Sequence, residues 1–210
     1  QFIFASSGSV YGVKEEAQVT EDLPLVPISV YNKTKMVAER VLLSFQEKIR
    51  IHCVRPATVC GWSPRMRLDI SVNMLTLQAL KNGVITVFGG QQTRPNIHIQ
   101  DMIGVYQHFL KNPNLDSGCY NAGFENISIL DIAQQVVKKV PAEIQVTDSN
   151  DPRSYRQNSD KLTATGFFPR YSVADAIDEV IDRYKDGELV DSDQCYTVKW
   201  MKQLNLDSQT

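Results

Sequence analysis

The chain has 210 residues, 42% of them hydrophobic, and a formal net charge of −2. That is enough apolar mass for a real core, and the near-neutral balance gives no electrostatic case for nucleic acid or an anionic membrane as a partner. Cys53, Cys60, Cys119 and Cys195 are far apart with no C-x-x-C pair, and His52, His98 and His108 lack metal-ligand spacing, so neither a disulfide framework nor a metal site is expected. No apolar run reaches membrane-spanning length and no signal peptide stands before the first strand. A soluble, cytoplasmic protein is the expectation.

In chain order, residues 2–5 (FIFA) read as a strand, apolar on both faces and therefore expected to be central and parallel. The strand runs into the hydroxyls of Ser6, Ser7 and Ser9. A loop follows over 12–27, with Glu15, Glu16, Glu21, Asp22, Pro24 and Pro27. Pro27 and Ser29 mark a helix start, and Val30, Val37, Val41, Leu42 and Phe45 predict an apolar stripe on a helix reaching about Lys48. Tyr31 and Lys35 lie four apart on that helix, so both project from one face. An ammonium beside a phenol favours the phenolate, which suits the tyrosine to general acid–base work on a substrate alcohol or ketone. A serine at the end of the adjoining strand would share the hydrogen bond to that oxygen. Residues 51–56 predict the next strand, stopped by Pro56, and strand–helix–strand with this crossover length argues for a parallel α/β sheet.

Tyr-x-x-x-Lys alone is a weak signal, but its setting is specific. A strand, then Ser-Ser-Gly-Ser-Val-Tyr-Gly over 6–12, an acidic proline-bearing loop, and Ser-Val-Tyr-Asn-Lys-Thr-Lys over 29–35 together resemble the extended short-chain dehydrogenase/reductase family. More narrowly they resemble its NAD-dependent epimerase/dehydratase branch, which works on nucleotide-sugars, and the resemblance continues to about Lys185. It implies Ser7, Tyr31 and Lys35 as catalytic residues, and Ser6, Tyr31, Lys35 and Pro56 as contacts of NAD or NADP. It also implies an α/β fold in three parts. Residues 1–59 would form the C-terminal part of a Rossmann-like doubly wound parallel sheet, 60–187 a smaller α/β region that binds the nucleotide-sugar, and 188–210 a polar tail with a short docking helix. No Gly-x-x-Gly-x-x-Gly turn occurs between a strand and a helix. The resemblance places that phosphate-binding loop before Gln1, so the chain is expected to be the C-terminal portion of a longer polypeptide.

Farther along, Arg55-Pro56-Ala57-Thr58-Val59-Cys60-Gly61 resembles the family's turn past the nicotinamide, with Cys60 where a tyrosine is usual. Arg65 and Arg67 read as solvated loop residues. Residues 68–82 predict a helix closed by Gly83, and Asn73-Met74 stands where the family has an Asn-Leu pair on the substrate diphosphate. Residues 85–90 predict a strand and turn corresponding to the strand under the nucleotide base, which makes Phe88 a substrate contact. Arg94 occupies the arginine position of the motif continued by Ile97, His98, Ile99 and Asp101; its planar fork suits a diphosphate. His98 reads as structural and Asp101 as a helix cap. Ser128 predicts the cap of a helix with Ile129, Ile132, Ala133, Val136 and Val137 inward, residues 143–147 a strand, and Ser172 with Asp175 a capping box before the last clear helix. Arg153 is the second arginine assigned to the diphosphate. Residues 196–201 predict a docking helix outside the resemblance.

The family opens by having the tyrosine remove a proton from a sugar hydroxyl while hydride passes to NAD. Its dehydratases place an acid, commonly Glu, just after the catalytic serine or threonine. Here Gly8 and Ser9 follow Ser7, and neither is a useful general acid. The pattern is closer to the 4-epimerase arrangement. A nucleotide-sugar reductase or dehydratase, and a non-catalytic sugar-nucleotide-binding module, stay open as alternatives. The expected partners are a nucleoside-diphosphate sugar and, in the complete protein, a second copy of the chain.

Overall fold

The computed structural model describes residues 1–148 and 154–204. Its first half runs β1 (Phe2–Ala5), α1 (Val30–Leu43), β2 (Ile51–Pro56), β3 (Thr58–Cys60), α2 (Ser71–Asn82), β4 (Val84–Phe88), β5 (Thr93–His98) and α3 (Ile99–Lys111). There follow β6 (Gly118–Ala122), β7 (Glu125–Ser128), α4 (Ile129–Val137), β8 (Glu143–Thr147), α5 (Asp160–Thr163), α6 (Val173–Lys185) and α7 (Thr197–Gln203).

Three parallel strands in the order β1-β2-β6 form the main sheet. The alternation along β2 shows how it is covered. Ile51 and Cys53 face Leu42 and Leu43 at the end of α1, and Arg55, on the same side, meets Glu39 of that helix. His52 and Val54 face the other way, where His52 stacks on Phe109 of α3 at 4.6 Å and Val54 joins Val105, Phe109 and Tyr120. With a helix on each face, β2 is buried along its length, as a parallel strand in a doubly wound sheet must be. Full burial of a side chain such as Phe109 contributes about 1.5–3 kcal/mol.

A second layer packs α2, α4 and α6 around β4, with Val72, Leu75, Ile85, Val87, Ile132, Val136 and Ile177 at its centre. There β4 pairs in parallel with β8, while β3 pairs in parallel with β5 and β5 antiparallel with β7. The capping residues act as the sequence predicts. Ser128 accepts from Asp131 N, Ser172 and Asp175 close a capping box, and Gly83 ends α2 in the left-handed region.

β1 is the outer strand of the sheet among the described residues, and it pairs in parallel with β2 as expected. Two expectations need correction. α1 ends at Leu43, not near Lys48, and its apolar stripe is turned outward: Val30, Val37 and Val41 are each more than half exposed. The buried positions are Asn32 and Glu39, because that face meets Ser9 and Arg55, which are polar. Asp101 does not cap α3. His98 does, accepting from Gln100 N, because β5 runs directly into the helix and leaves His98 as its last extended residue. The Asp101 carboxylate instead accepts from Arg170 N at 2.9 Å and Tyr171 N at 3.0 Å, fastening the approach to α6.

Gly12 closes the serine-rich turn at φ +74°, and a Cβ there would lie 2.0 Å from Val26 O. Gly12→Ala is therefore expected to lower stability by about 1–3 kcal/mol from the backbone conformation alone. Denaturant unfolding of the variant checks this, and wild-type stability would contradict it. Among the described residues no helix is long and apolar enough to cross a membrane, and no group of three His, Cys, Asp or Glu side chains is placed to hold a metal ion.

Candidate active site

The site begins where β1 ends. Ser6 N still donates to Val54 O at 2.8 Å, continuing the parallel pairing, and Ser7 then turns the chain by capping the short 3-10 helix Gly8–Tyr11. The two serines diverge. Ser6 is buried and its hydroxyl donates to Glu39 Oε1, whereas Ser7 Oγ lies 2.7 Å from Ser9 Oγ, which donates to Asn32 Oδ1 at 2.7 Å. With the Ser9 proton committed to Asn32, the hydrogen between the two serines comes from Ser7. The Ser7 oxygen thereby retains acceptor capacity for a ligand hydroxyl.

Ser29 caps α1 by accepting from Asn32 N, which puts Tyr31 in the first turn. One turn on, Lys35 Nζ donates to Ala5 O at 2.7 Å and sits 5.7 Å from the Tyr31 ring centroid. That bond ties the helix to the strand end carrying Ser7. Glu39 follows four residues later on the same face and forms a buried bidentate pair with Arg55, at 2.9 and 2.8 Å. Arg55 also donates to the Tyr11 hydroxyl at 2.7 Å, and Tyr11 donates to Asn121 Oδ1 at 2.8 Å. Burial pushes the Tyr11 phenol well above its ordinary range, with Arg55 acting against it. For Arg55, burial works to lower the value, but the hydrogen bonds to Glu39 together with the charge interactions with Tyr11, Cys119 and Glu39 outweigh it and hold the guanidinium charge more firmly than usual. This network fixes α1 to β2 and the serine turn.

In front of it opens a cavity of about 500 Å³ that brings together Ser6, Ser7, Tyr31 and Pro56. Its far wall is the segment after β3, including Arg65 and Arg67. The sequence reading missed those two. The available signal was the alternation Arg65-Met66-Arg67-Leu68, in which Met66 and Leu68 are buried and the arginines point the other way. Tyr155 also lines the cavity. Cys60, at the family's tyrosine position, is buried, donates to Ile97 O, and has its thiol pushed up to about 12 by that burial, so it lines the cavity as a neutral group.

The substrate residues named from sequence fare unevenly. Asn73 lines the cavity but is 1% exposed, and its amide is engaged with Gly61 N, Gly61 O and Arg67 O, so it clamps the far-wall loop. Phe88 is 55% exposed and Arg94 half-buried, and neither lines this cavity. Arg153 lies outside the described residues.

A parallel sheet covered by helices on both faces, with Ser, Tyr and Lys gathered at the carboxyl ends of its strands, defines an α/β protein of the Rossmann-like type. Residues 1–123 match the model of the NAD dependent epimerase/dehydratase family, and the chain belongs to that family. It is 27% identical over 203 residues to a UDP-glucose 4-epimerase of Lactobacillus helveticus, covering 83% of this chain and 61% of the relative. Among solved structures, UDP-glucuronic acid 4-epimerase of Bacillus cereus, in complex with UDP-glucuronic acid and NAD, superposes with a TM-score of 0.76 at 30% identity. That match covers 88% of this chain and 61% of that one. ADP-L-glycero-D-manno-heptose-6-epimerase of Helicobacter pylori shares the fold at a TM-score of 0.78 and 21% identity, over 87% of this chain and 59% of that one. The chain thus spans about three fifths of the length of these relatives.

Proposed function

We propose that this chain is the catalytic and substrate-binding portion of an NAD-dependent nucleotide-sugar epimerase-like enzyme. The observation that carries the reading is the placement of Ser7 and Tyr31 on one wall of a single cavity and Arg65 and Arg67 on the other, with Lys35 anchored beside the tyrosine. Pro56, Ala57 and Val59 give the cavity an apolar flank, a fit for a nicotinamide ring, and the residues that would hold it are Ser6, Tyr31 and Pro56 in the lining and Lys35, anchored at Ala5 O. Bound NAD would supply the hydride acceptor and donor. Tyr31 takes the proton of a sugar hydroxyl, the Ser7 hydroxyl turns from Ser9 to donate to the resulting carbonyl oxygen, and Lys35 stabilises the phenolate during the transfer. Turning the keto-sugar within the cavity and reversing the proton transfer gives the epimer.

No carboxylate lines the cavity among the described residues, and Ser9 is committed to Asn32. That favours epimerisation over dehydration, which calls for an acid beside the ketone. Arg94 and Arg153 stay in the proposal as candidates for the diphosphate. The exposed apolar face of α1, with Val30, Val37 and Val41, is where two copies of a cytoplasmic enzyme would pair.

Full-length protein incubated with NAD and UDP-glucose or UDP-glucuronic acid is expected to yield the C4 epimer, read by NMR of the sugar. A 4-keto-6-deoxy product would move the enzyme to the dehydratases. Nucleotide-sugar binding in calorimetry without turnover would leave a binding module, and neither binding nor turnover would sink the reading.

A further inference from the structure

The segment 62–69 forms the far wall of the cavity without helix or strand of its own, so something else must hold it. The alternation supplies half of the answer. Met66 and Leu68 are pegs, and the cluster that receives them contains Leu189 and Cys195, both from the tail, with Leu77 and Val180 behind. Hydrogen bonds supply the rest. Leu68 N donates to Cys195 O at 2.9 Å. The Asp69 carboxylate takes Arg67 Nε on one oxygen at 2.9 Å and Thr197 N on the other at 3.0 Å. The tail is itself fastened. Asp191 pairs with Lys81 at the end of α2 at 2.6 Å and accepts from the Tyr196 hydroxyl at 3.0 Å, while Leu189 N donates to Arg183 O at 3.0 Å. All of these tail residues lie beyond the stretch matched by the family model.

We propose that residues 188–197 are a strap that sets the register of the Arg65–Asp69 segment, and that Asp69 is a positioning residue joining the strap to Arg67. The inference rests on the functional reading in that Arg65 and Arg67 face the substrate. A one-residue slip of the pegs would turn both arginines away from the cavity and Met66 and Leu68 into it. The strap therefore acts on substrate affinity and leaves Tyr31 and Ser7, held by the other wall, untouched.

Thr197→Pro tests this in the full-length protein. Thr197 is the first residue of α7, where proline is well tolerated, so the substitution removes the N–H bound to Asp69 without breaking the helix. The expected result is a nucleotide-sugar KM raised about tenfold, the effect of one charge-assisted hydrogen bond, with kcat within about twofold of wild type. Asp69→Asn should shift KM in the same direction, and Thr197→Ser, which keeps both the N–H and the hydroxyl that accepts from Arg65 Nη2 at 3.5 Å, should leave it unchanged. KM within about twofold of wild type in both Thr197→Pro and Asp69→Asn would overturn the proposal, as would a fall in kcat matching the rise in KM. Should the wild-type protein bind no nucleotide-sugar, the functional reading fails on its own. Amide hydrogen exchange over 62–69 then decides the strap: faster exchange in Thr197→Pro supports it, and unchanged protection overturns it.

Discussion

Tyr31→Phe in the full-length protein is expected to lower turnover by a factor of about 10²–10⁴, the range of a positioned general acid–base group. The loss falls on kcat because the ring stays in place. Tyr31 sits in the first turn of a helix whose cap is Ser29, and the Lys35 bond to Ala5 O does not involve its hydroxyl. The phenylalanine therefore keeps the cavity wall and the lysine position while removing the phenol oxygen proposed to exchange a proton with a sugar hydroxyl. Nucleotide-sugar affinity measured by calorimetry should stay close to wild type. Turnover within about twofold of wild type would remove Tyr31 from the mechanism and turn attention to the Ser7 hydroxyl and its link to Ser9.

Much of this arrangement is legible in the sequence for a physical reason. Chemistry that needs two groups on one helix face leaves a fixed spacing, and Tyr31 with Lys35 shows it. Strand ends, caps and the capping box at Ser172 depend on one or two local residues, so they too can be read directly. What the sequence conceals is orientation. In α1 the apolar residues suggest one inward face, yet the face that meets the protein is the polar one carrying Asn32 and Glu39. Helical periodicity identifies a stripe but not what it packs against. The short strands β3, β5 and β7 also escaped, since three to six residues carry little periodic signal and their pairing joins segments far apart in the chain. Arg65 and Arg67 are exposed loop residues, as read, but their place on the cavity was hidden for the same reason. Their direction is fixed by where Met66 and Leu68 are buried, and that depends on a tail more than a hundred residues later.

The buried pair beneath the site gives the largest expected effect on stability. Arg55→Met removes a guanidinium that binds both oxygens of Glu39 and the Tyr11 hydroxyl, leaving a carboxylate on a residue 1% exposed with only Ser6 for support. Breaking one side of a buried ion pair costs about 3–5 kcal/mol, because the remaining charge is stranded away from water. Removing both charges relieves that penalty, so Glu39→Met combined with Arg55→Met should be far less damaging than the sum of the single changes. Urea unfolding of the wild type, the two single variants and the double variant completes the cycle. A single Arg55→Met change costing less than about 1 kcal/mol would show that the charge is reached by water and the pair holds nothing together. The expected cost connects to function through α1. Glu39 lies two turns beyond Tyr31 on the same face, so the ion pair adds to the Lys35 and Asn32 bonds that keep the helix in register with the serine turn. In the full-length enzyme the double variant, stable but with this tie between α1 and β2 lost, should therefore show lower turnover while keeping its fold.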